Sequence, residues 1–136
     1  MNYSEKQHSI IEDFSMFEDW MEKYEFIIEL GKEVNLIQEQ DKSDDLLIEG
    51  CQSRVWLKSE VNNGQMYYFA DSDAIITKGI ISLLIKVMNG ETPSTIAKEN
   101  LFFIEKIGLQ EHLSPTRANG LLEMVKRMKM DAIKNI

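Results

Sequence analysis

The sequence has little cysteine, little histidine and no long apolar run. Its 136 residues contain one cysteine and two histidines. An intramolecular disulfide therefore cannot form, and a zinc or iron–sulfur site made by this chain alone lacks ligands. The longest apolar stretches lie between Ile80 and Ile85, far short of the roughly 18 to 20 residues that a membrane helix needs. The N-terminus has no basic patch followed by an apolar stretch, so we expect a cytoplasmic protein without a membrane span.

Basic residues are also scarce. Fifteen lysines and arginines stand against 23 aspartates and glutamates, which gives a net charge of −8 and a pI near 4.8. Nucleic-acid binding needs the opposite charge, because lysine and arginine must replace the counterions of the phosphates. DNA, RNA and anionic lipid are therefore excluded as expected partners. Residues 1–50 carry fourteen acids and four lysines, which favours either a basic protein partner or a solvated helix face.

The first part of the chain has the pattern of two helices. No repeat and no linker rich in proline or glycine divides the sequence, so we expect one domain over residues 1–136. Ser4 with Gln7, and Ser15 with Glu18, have capping-box spacing and predict two successive helix starts. After the second start, apolar residues recur at helical spacing as far as Gly31, which is placed to end that helix.

The middle of the chain predicts a β-hairpin. Apolar and polar residues alternate over positions 55–61, Asn63-Gly64 supplies turn residues that tolerate a positive φ, and an apolar segment returns at 66–69. A third strand is expected at residues 46–48, because a two-stranded hairpin alone is marginally stable in water.

The second half predicts further helices packed on one side of this sheet. A strongly apolar helix should run from Ala74 to about Asn89, and Thr92-Pro93 and Ser114-Pro115 should each open another helix. The resulting architecture is α+β. Residues expected to face inward from the last helix are Leu121, Leu122, Val125 and Met128. Expected core aromatic residues are Trp20, Tyr24, Trp56 and Phe69.

Cys51 is the candidate functional residue. A free cysteine is usually a small buried hydrophobe, but this one follows a glycine and precedes the polar residues Gln52, Ser53 and Arg54. That context favours a thiol at a loop tip or a strand entry. With no second cysteine, sulfur or an oxidised group held on Cys51 must be discharged by a thiol of another molecule. Neither histidine lies in a setting typical of a cysteine hydrolase.

Three stretches of the chain carry a resemblance to a known family. In chain order they are residues 50–56 (Gly-Cys-Gln-Ser-Arg-Val-Trp), residues 71–74 with Lys78-Gly79, and residues 114–117 (Ser-Pro-Thr-Arg). Together they resemble the SufE family of cysteine desulfuration proteins, and the similarity covers essentially the whole chain. The resemblance implies a small antiparallel sheet with helices on one side, a fold related to that of IscU-type scaffold proteins.

The resemblance implies a sulfur carrier. Cys51 would take persulfide sulfur from a SufS-type cysteine desulfurase, stimulate its turnover, and pass the sulfur to the SufBCD complex that builds iron–sulfur clusters. Pyridoxal phosphate belongs to the desulfurase, so no cofactor and no metal is expected on this chain. The sequence leaves open whether the protein forms a homodimer. The partner surface implied by the family pattern comprises Gly50, Gln52, Ser53, Arg54, Asp71, Asp73 and Arg117.

Several of these residues have a structural alternative. Asp71 and Asp73 are suited to cap the helix that follows them. Arg117 stands in the first turn of its helix, where the helix dipole disfavours a cation. We expect a carboxylate of the 71–73 turn as its partner, with simple solvent exposure as the competing interpretation. The family fold implies that Cys51 is tucked against apolar surface in the free protein, which would raise its pKa.

Two other functions compete with the carrier hypothesis. The chain could activate a cysteine desulfurase by binding alone, as a non-catalytic adaptor in which Cys51 is incidental. Cys51→Ser separates the two, because an adaptor would still stimulate the desulfurase. An iron–sulfur scaffold of the IscU type is disfavoured by the single cysteine.

Overall fold

A computed structural model describes residues 1–136, in which six α-helices and two β-strands form the main elements. In chain order they are α1 (Tyr3–Ser15), α2 (Trp20–Gly31), β1 (Val55–Asn62), β2 (Gln65–Ser72), α3 (Ile75–Met88), α4 (Pro93–Lys98), α5 (Phe103–Ile107) and α6 (Pro115–Ile133). Short 3-10 turns lie at Glu39–Asp41, Asp44–Leu46 and Gln110–His112. The predicted α+β class is confirmed.

The β-hairpin forms where the sequence predicts it. Strands β1 and β2 pair antiparallel from Val55 opposite Ser72 to Asn62 opposite Gln65. The two residues between them have positive φ angles, 52° at Asn63 and 76° at Gly64, as a two-residue turn that matches the strand twist requires. Alternation then places one face of the hairpin in the core, through the buried residues Val55, Leu57, Met66, Tyr68 and Ala70.

The expected third strand is reduced to a single bridge. Leu47 pairs with Trp56 as an isolated antiparallel bridge, and the sheet has two strands. The 3-10 turn at Asp44–Leu46 ends directly before Leu47, and Gly50 then turns the chain away from β1 with a φ of 88°. Only about two residues can therefore lie beside β1. The hairpin is stabilised instead by packing on α3, whose apolar surface covers it.

Helix α3 is the central helix, because ten of its fourteen residues are buried. It crosses α2 at very close range through two glycines. A Cβ added to Gly79 would lie 2.2 Å from the carbonyl oxygen of Ile27, and one added to Gly31 would lie 2.9 Å from the Gly79 nitrogen. Gly31 is therefore needed for helix contact. It is not the predicted C-terminal cap, since α2 ends on Lys32 in a right-handed conformation.

The predicted helix caps are wrong at the first two helices and right at the two that begin with proline. The Asn2 side chain caps α1 in a capping box with Glu5, and Asp19 caps α2. Ser15 is instead the last residue of α1. A serine followed three residues later by glutamine or glutamate also occurs by chance elsewhere in a helix, whereas proline at the first position restricts the start much more strongly. The side chains of Thr92 and Ser114 accept the capping hydrogen bonds of α4 and α6.

Two groups of predicted core residues need correction. Leu121 and Met128 are buried as expected, but Leu122 is 51% exposed, and the inward stripe of α6 is completed by Met124 and Ala132, at steps of three and four. The four aromatic residues expected in the core are all partly exposed, although Trp20 and Tyr24 pack against the core. The fully buried aromatic residues are Phe14, Tyr68 and Phe103.

Candidate functional site

Cys51 lies in the loop that leads into β1, as the sequence predicts. Gly50 gives the loop its shape, because its φ of 88° is a conformation that side chains disfavour. Space is limited there too, since a Cβ on Gly50 would lie 2.8 Å from the Cγ atom of Glu123. The glycine thus lets the chain pass close to α6 and turn the next residue toward the protein.

The Cys51 thiol is half-buried in a small hollow between its own loop, α3 and α6. It donates a weak hydrogen bond to the carbonyl oxygen of Gly120, with a sulfur–oxygen distance of 3.7 Å. A Cβ on Gly120 would lie 3.4 Å from the sulfur, so the missing side chain makes room for it. The hollow has a volume of about 10 Å³, room for about one water molecule. Its other lining residues are Gln52, Thr77, Ile80, Thr116, Arg117 and Met124.

Two exposed hydrogen bonds hold the Cys51 loop against α6. The Asn119 side-chain amide donates to the Gly50 carbonyl oxygen at 2.9 Å, and the Thr116 hydroxyl donates to the Gln52 side-chain oxygen at 2.9 Å. We call this pair of hydrogen bonds the α6 latch. The two bonds flank the thiol on both sides in sequence, so they fix the loop with its sulfur facing inward.

The surroundings of the thiol keep it protonated. Burial raises the pKa of Cys51 above its ordinary value, and the nearby carboxylate of Glu123 raises it further. The thiolate, which is the nucleophile, is therefore scarce at neutral pH while the loop is closed. Arg117 lines the hollow and is exposed, as is Arg54 just after the thiol in the same loop. Neither arginine forms an ion pair.

Asp71 and Asp73 do not cap α3, contrary to the structural alternative considered for them. The N-cap residue Ala74 has no side-chain cap. Asp73 accepts a hydrogen bond from the backbone nitrogen of Arg54 at 3.0 Å. This bond ties the entry of β1 to the exit of β2, directly after Ser53 and close in sequence to the thiol.

The Asp71 carboxylate is occupied by two lysines. One oxygen contacts the Lys42 ammonium at 2.6 Å and the other contacts Lys78 at 3.2 Å. Burial by itself would raise the pKa of Asp71, but hydrogen bonds from Lys42, Ser72 and Lys78 outweigh it and hold that pKa below its usual value. The expected contact between Arg117 and the 71–73 turn is therefore wrong, and Arg117 is solvent-exposed.

No metal-binding cluster accompanies the thiol. The structure contains no group of three or more histidine, cysteine, aspartate or glutamate side chains arranged to hold a metal ion. Neither histidine lines the hollow, and the His112 ring stacks on Trp20 with centroids 4.0 Å apart. The site therefore has a thiol without an adjacent imidazole base. No helix has the length and apolar character needed to cross a membrane.

The family profile described as "SufE: Fe-S metabolism associated domain" matches residues 8–132. The chain belongs to the SufE family. An uncharacterised SufE-like protein of Rhizobium etli is 38% identical over 128 residues, covering 90% of this chain and 86% of its own length. A second, from Synechocystis, is 37% identical over 124 residues, covering 91% of this chain and 78% of its own length. The SufE family is associated with iron–sulfur metabolism.

A solved structure shares the fold of this SufE-family chain. It is the solution structure of a hypothetical protein from Thermus thermophilus, with a TM-score of 0.79 and 20% sequence identity, and the match covers 96% of this chain and 95% of that one. At this identity the likeness concerns the fold alone. It agrees with the hairpin and surrounding helices described above.

Within the SufE-family site, the structure brings together some of the expected residues and adds others. Gln52 and Arg117 meet Cys51 at the hollow, whereas Asp71 lies on the hairpin and binds lysines. The sequence prediction missed several residues. They are Asn119, Gly120 and Glu123 on α6, and Thr77 on α3. One signal was readable, because a glycine inside a predicted helix, as at position 120, often marks a close contact.

Proposed function

We propose that this protein is a sulfur carrier, in which Cys51 accepts persulfide sulfur from a cysteine desulfurase and passes it to the machinery that assembles iron–sulfur clusters. The donor would be a SufS-type desulfurase and the recipient the SufBCD complex. Pyridoxal phosphate, which activates the substrate cysteine, would belong to the desulfurase. Membership of a family associated with iron–sulfur metabolism supports this proposal in its outline.

The transfer step balances without an external oxidant or reductant. The Cys51 thiolate attacks the outer sulfur of the desulfurase persulfide, and the bond between that sulfur and the desulfurase cysteine breaks. The desulfurase cysteine leaves as a thiolate, and Cys51 now carries the outer sulfur as a persulfide. A second exchange of the same kind, with a recipient thiol attacking, would return Cys51 to its starting state.

The observation that carries the proposal is the setting of the single thiol. Cys51 is the only cysteine, and it lies in the loop before β1 rather than in the core. Its loop is held by exposed hydrogen bonds that a partner can replace. No imidazole lies beside it to support hydrolysis. No second thiol can release the sulfur internally, so transfer between molecules is the chemistry that this arrangement supports.

The test is the intact mass of the protein after incubation with cysteine and a cysteine desulfurase. We expect a gain of one sulfur atom that a reductant removes and that Cys51→Ser abolishes. Desulfurase turnover should rise with the wild-type protein and not with Cys51→Ser, although that variant should still bind. If Cys51→Ser stimulates turnover as well as the wild type, the protein is an adaptor and the carrier proposal is wrong.

A further inference from the structure

A long groove runs along the flank of α6 that faces away from Cys51. It has a volume of about 1010 Å³ and lies between α6 on one side and residues 97–113 on the other. Its floor is formed by the apolar residues Leu101, Ile104, Leu113, Leu121, Leu122 and Val125. Leu122 stands out among them, because half of a large apolar side chain faces solvent. The groove is thus an apolar surface with no covering element from this chain.

The two walls of the groove carry different charge. The charged lining residues are Lys126 and Lys129 on α6, and Lys98, Glu99, Glu105 and Glu111 on the opposite wall. None of them forms an ion pair with another residue. The Lys129 ammonium contacts only backbone oxygens, those of Ile96 at 3.0 Å and Glu99 at 3.2 Å. The Lys129 ammonium is thus engaged within the chain, whereas Lys126 is exposed. In a chain with net charge −8, Lys126 is the lysine of this wall that is open to a carboxylate from outside.

The groove and the thiol lie on the two flanks of one exposed helix ridge. Gly120 faces Cys51, whereas Leu122 lies two residues on, about 200° around the helix axis. The ridge between them is one helix wide, about 10 to 12 Å. A stable interface buries about 800 Å² of each partner, which corresponds to a disc about 16 Å in radius. A partner centred on Cys51 would therefore extend over the ridge to Leu122 and Lys126.

Building on the proposed function, we propose that this groove is the outer part of the docking surface for the persulfide-donating desulfurase, and that it takes an amphipathic helical segment of that partner. The lining part of α6, from Pro115 to Lys129, spans about 21 Å, or about four helical turns. Apolar residues of the segment would cover the Leu122 floor. A carboxylate of the segment would face Lys126, and its basic residues would face Glu105 and Glu111.

The test is the affinity of Leu122→Glu for the desulfurase, measured by calorimetric titration. We expect binding about tenfold weaker or worse than wild type, because a carboxylate replaces a central apolar contact. Ile133→Glu is the matched control. Ile133 is on the same helix and is 57% exposed but does not line the groove, so its affinity should stay at the wild-type value. Lys126→Glu should also weaken binding, and more so at low salt.

The outcomes separate this inference from the carrier proposal. Leu122→Glu should still gain one sulfur on Cys51 when the desulfurase is saturating, and its urea midpoint should stay close to that of the wild type, which shows that it is folded. Wild-type affinity in Leu122→Glu, or equal weakening in Ile133→Glu, would overturn the groove assignment while leaving sulfur transfer intact. If the wild type is a dimer that Leu122→Glu converts to a monomer without loss of affinity, the groove binds a second copy and the inference is wrong.

Discussion

Replacing Asn119 with alanine should make Cys51 react faster with an alkylating reagent. The Asn119 amide donates one of the two hydrogen bonds of the α6 latch, to the carbonyl oxygen of Gly50 beside the thiol. The bond is exposed, so water can solvate the Gly50 carbonyl once the amide is gone. The variant should therefore stay folded while the closed position of the loop becomes less favourable.

The size of the effect follows from the net strength of one hydrogen bond. Such a bond contributes about 0.5 to 1.5 kcal/mol, which corresponds to a change of about 2- to 12-fold in the ratio of open to closed loop. When opening is fast and alkylation slow, the labelling rate rises by the same factor. Thr116→Val, which removes the other latch bond to Gln52, should raise the rate by a similar factor.

The assay is the rate of iodoacetamide labelling of Cys51, followed by intact mass under excess reagent. Asn135→Ala is the matched control, because its side-chain amide also donates to a backbone oxygen of α6, that of Asp131 at 2.7 Å. It is exposed and belongs to the far end of the chain, so labelling should not change. An Asn119→Ala rate equal to wild type would refute the latch, as would an equal rise in Asn135→Ala.

Three further predictions concern charge and packing. Glu123→Gln should move the midpoint of the alkylation rate against pH to lower pH, because the carboxylate raises the pKa of Cys51; an unmoved midpoint would contradict this. Asp71→Asn should have a lower urea midpoint of unfolding than the wild type at pH 7. Because the folded pKa of Asp71 is lowered, its contribution should fade as pH falls below about 4, and the two urea midpoints should then converge. Gly79→Ala should lower the free energy of unfolding by about 3 kcal/mol or more, since its Cβ would lie 2.2 Å from the Ile27 oxygen. A urea midpoint equal to that of the wild type would refute this.

Local chemistry explains which parts of the fold could be predicted from sequence. The turn at Asn63-Gly64 and the helix start at Ser114 depend on residues next to each other, so the sequence is enough to find them. The prediction of a helix start at Ser4 is wrong because the same spacing occurs within a helix. The prediction of a third strand is wrong for a different reason. Whether residues 46–48 pair with β1 depends on where the preceding turn delivers them, which no local pattern specifies.

The candidate site divides in the same way. Cys51 could be identified from its own chemistry and its polar neighbours. The residues that enclose it could not, because Asn119 and Gly120 are separated from it by half the chain and meet it only after α6 packs beside the loop. The predicted contact between Arg117 and the turn at Asp71 is wrong, since the lysines that bind the Asp71 carboxylate come from two other segments.

Neighbouring residues of helix α6 have different roles. Successive side chains point about 100° apart around a helix, so Asn119 reaches the Cys51 loop, Gly120 faces the sulfur and Leu122 faces the groove. Single substitutions should therefore separate loop closure from partner affinity. Asn119→Ala should speed labelling of the free protein without weakening affinity, and Leu122→Glu should weaken affinity without changing labelling of the free protein. Because the two positions are less than one helical turn apart, a general loss of helix structure would change both properties in both variants. Opposite responses would thus exclude unfolding as the common cause.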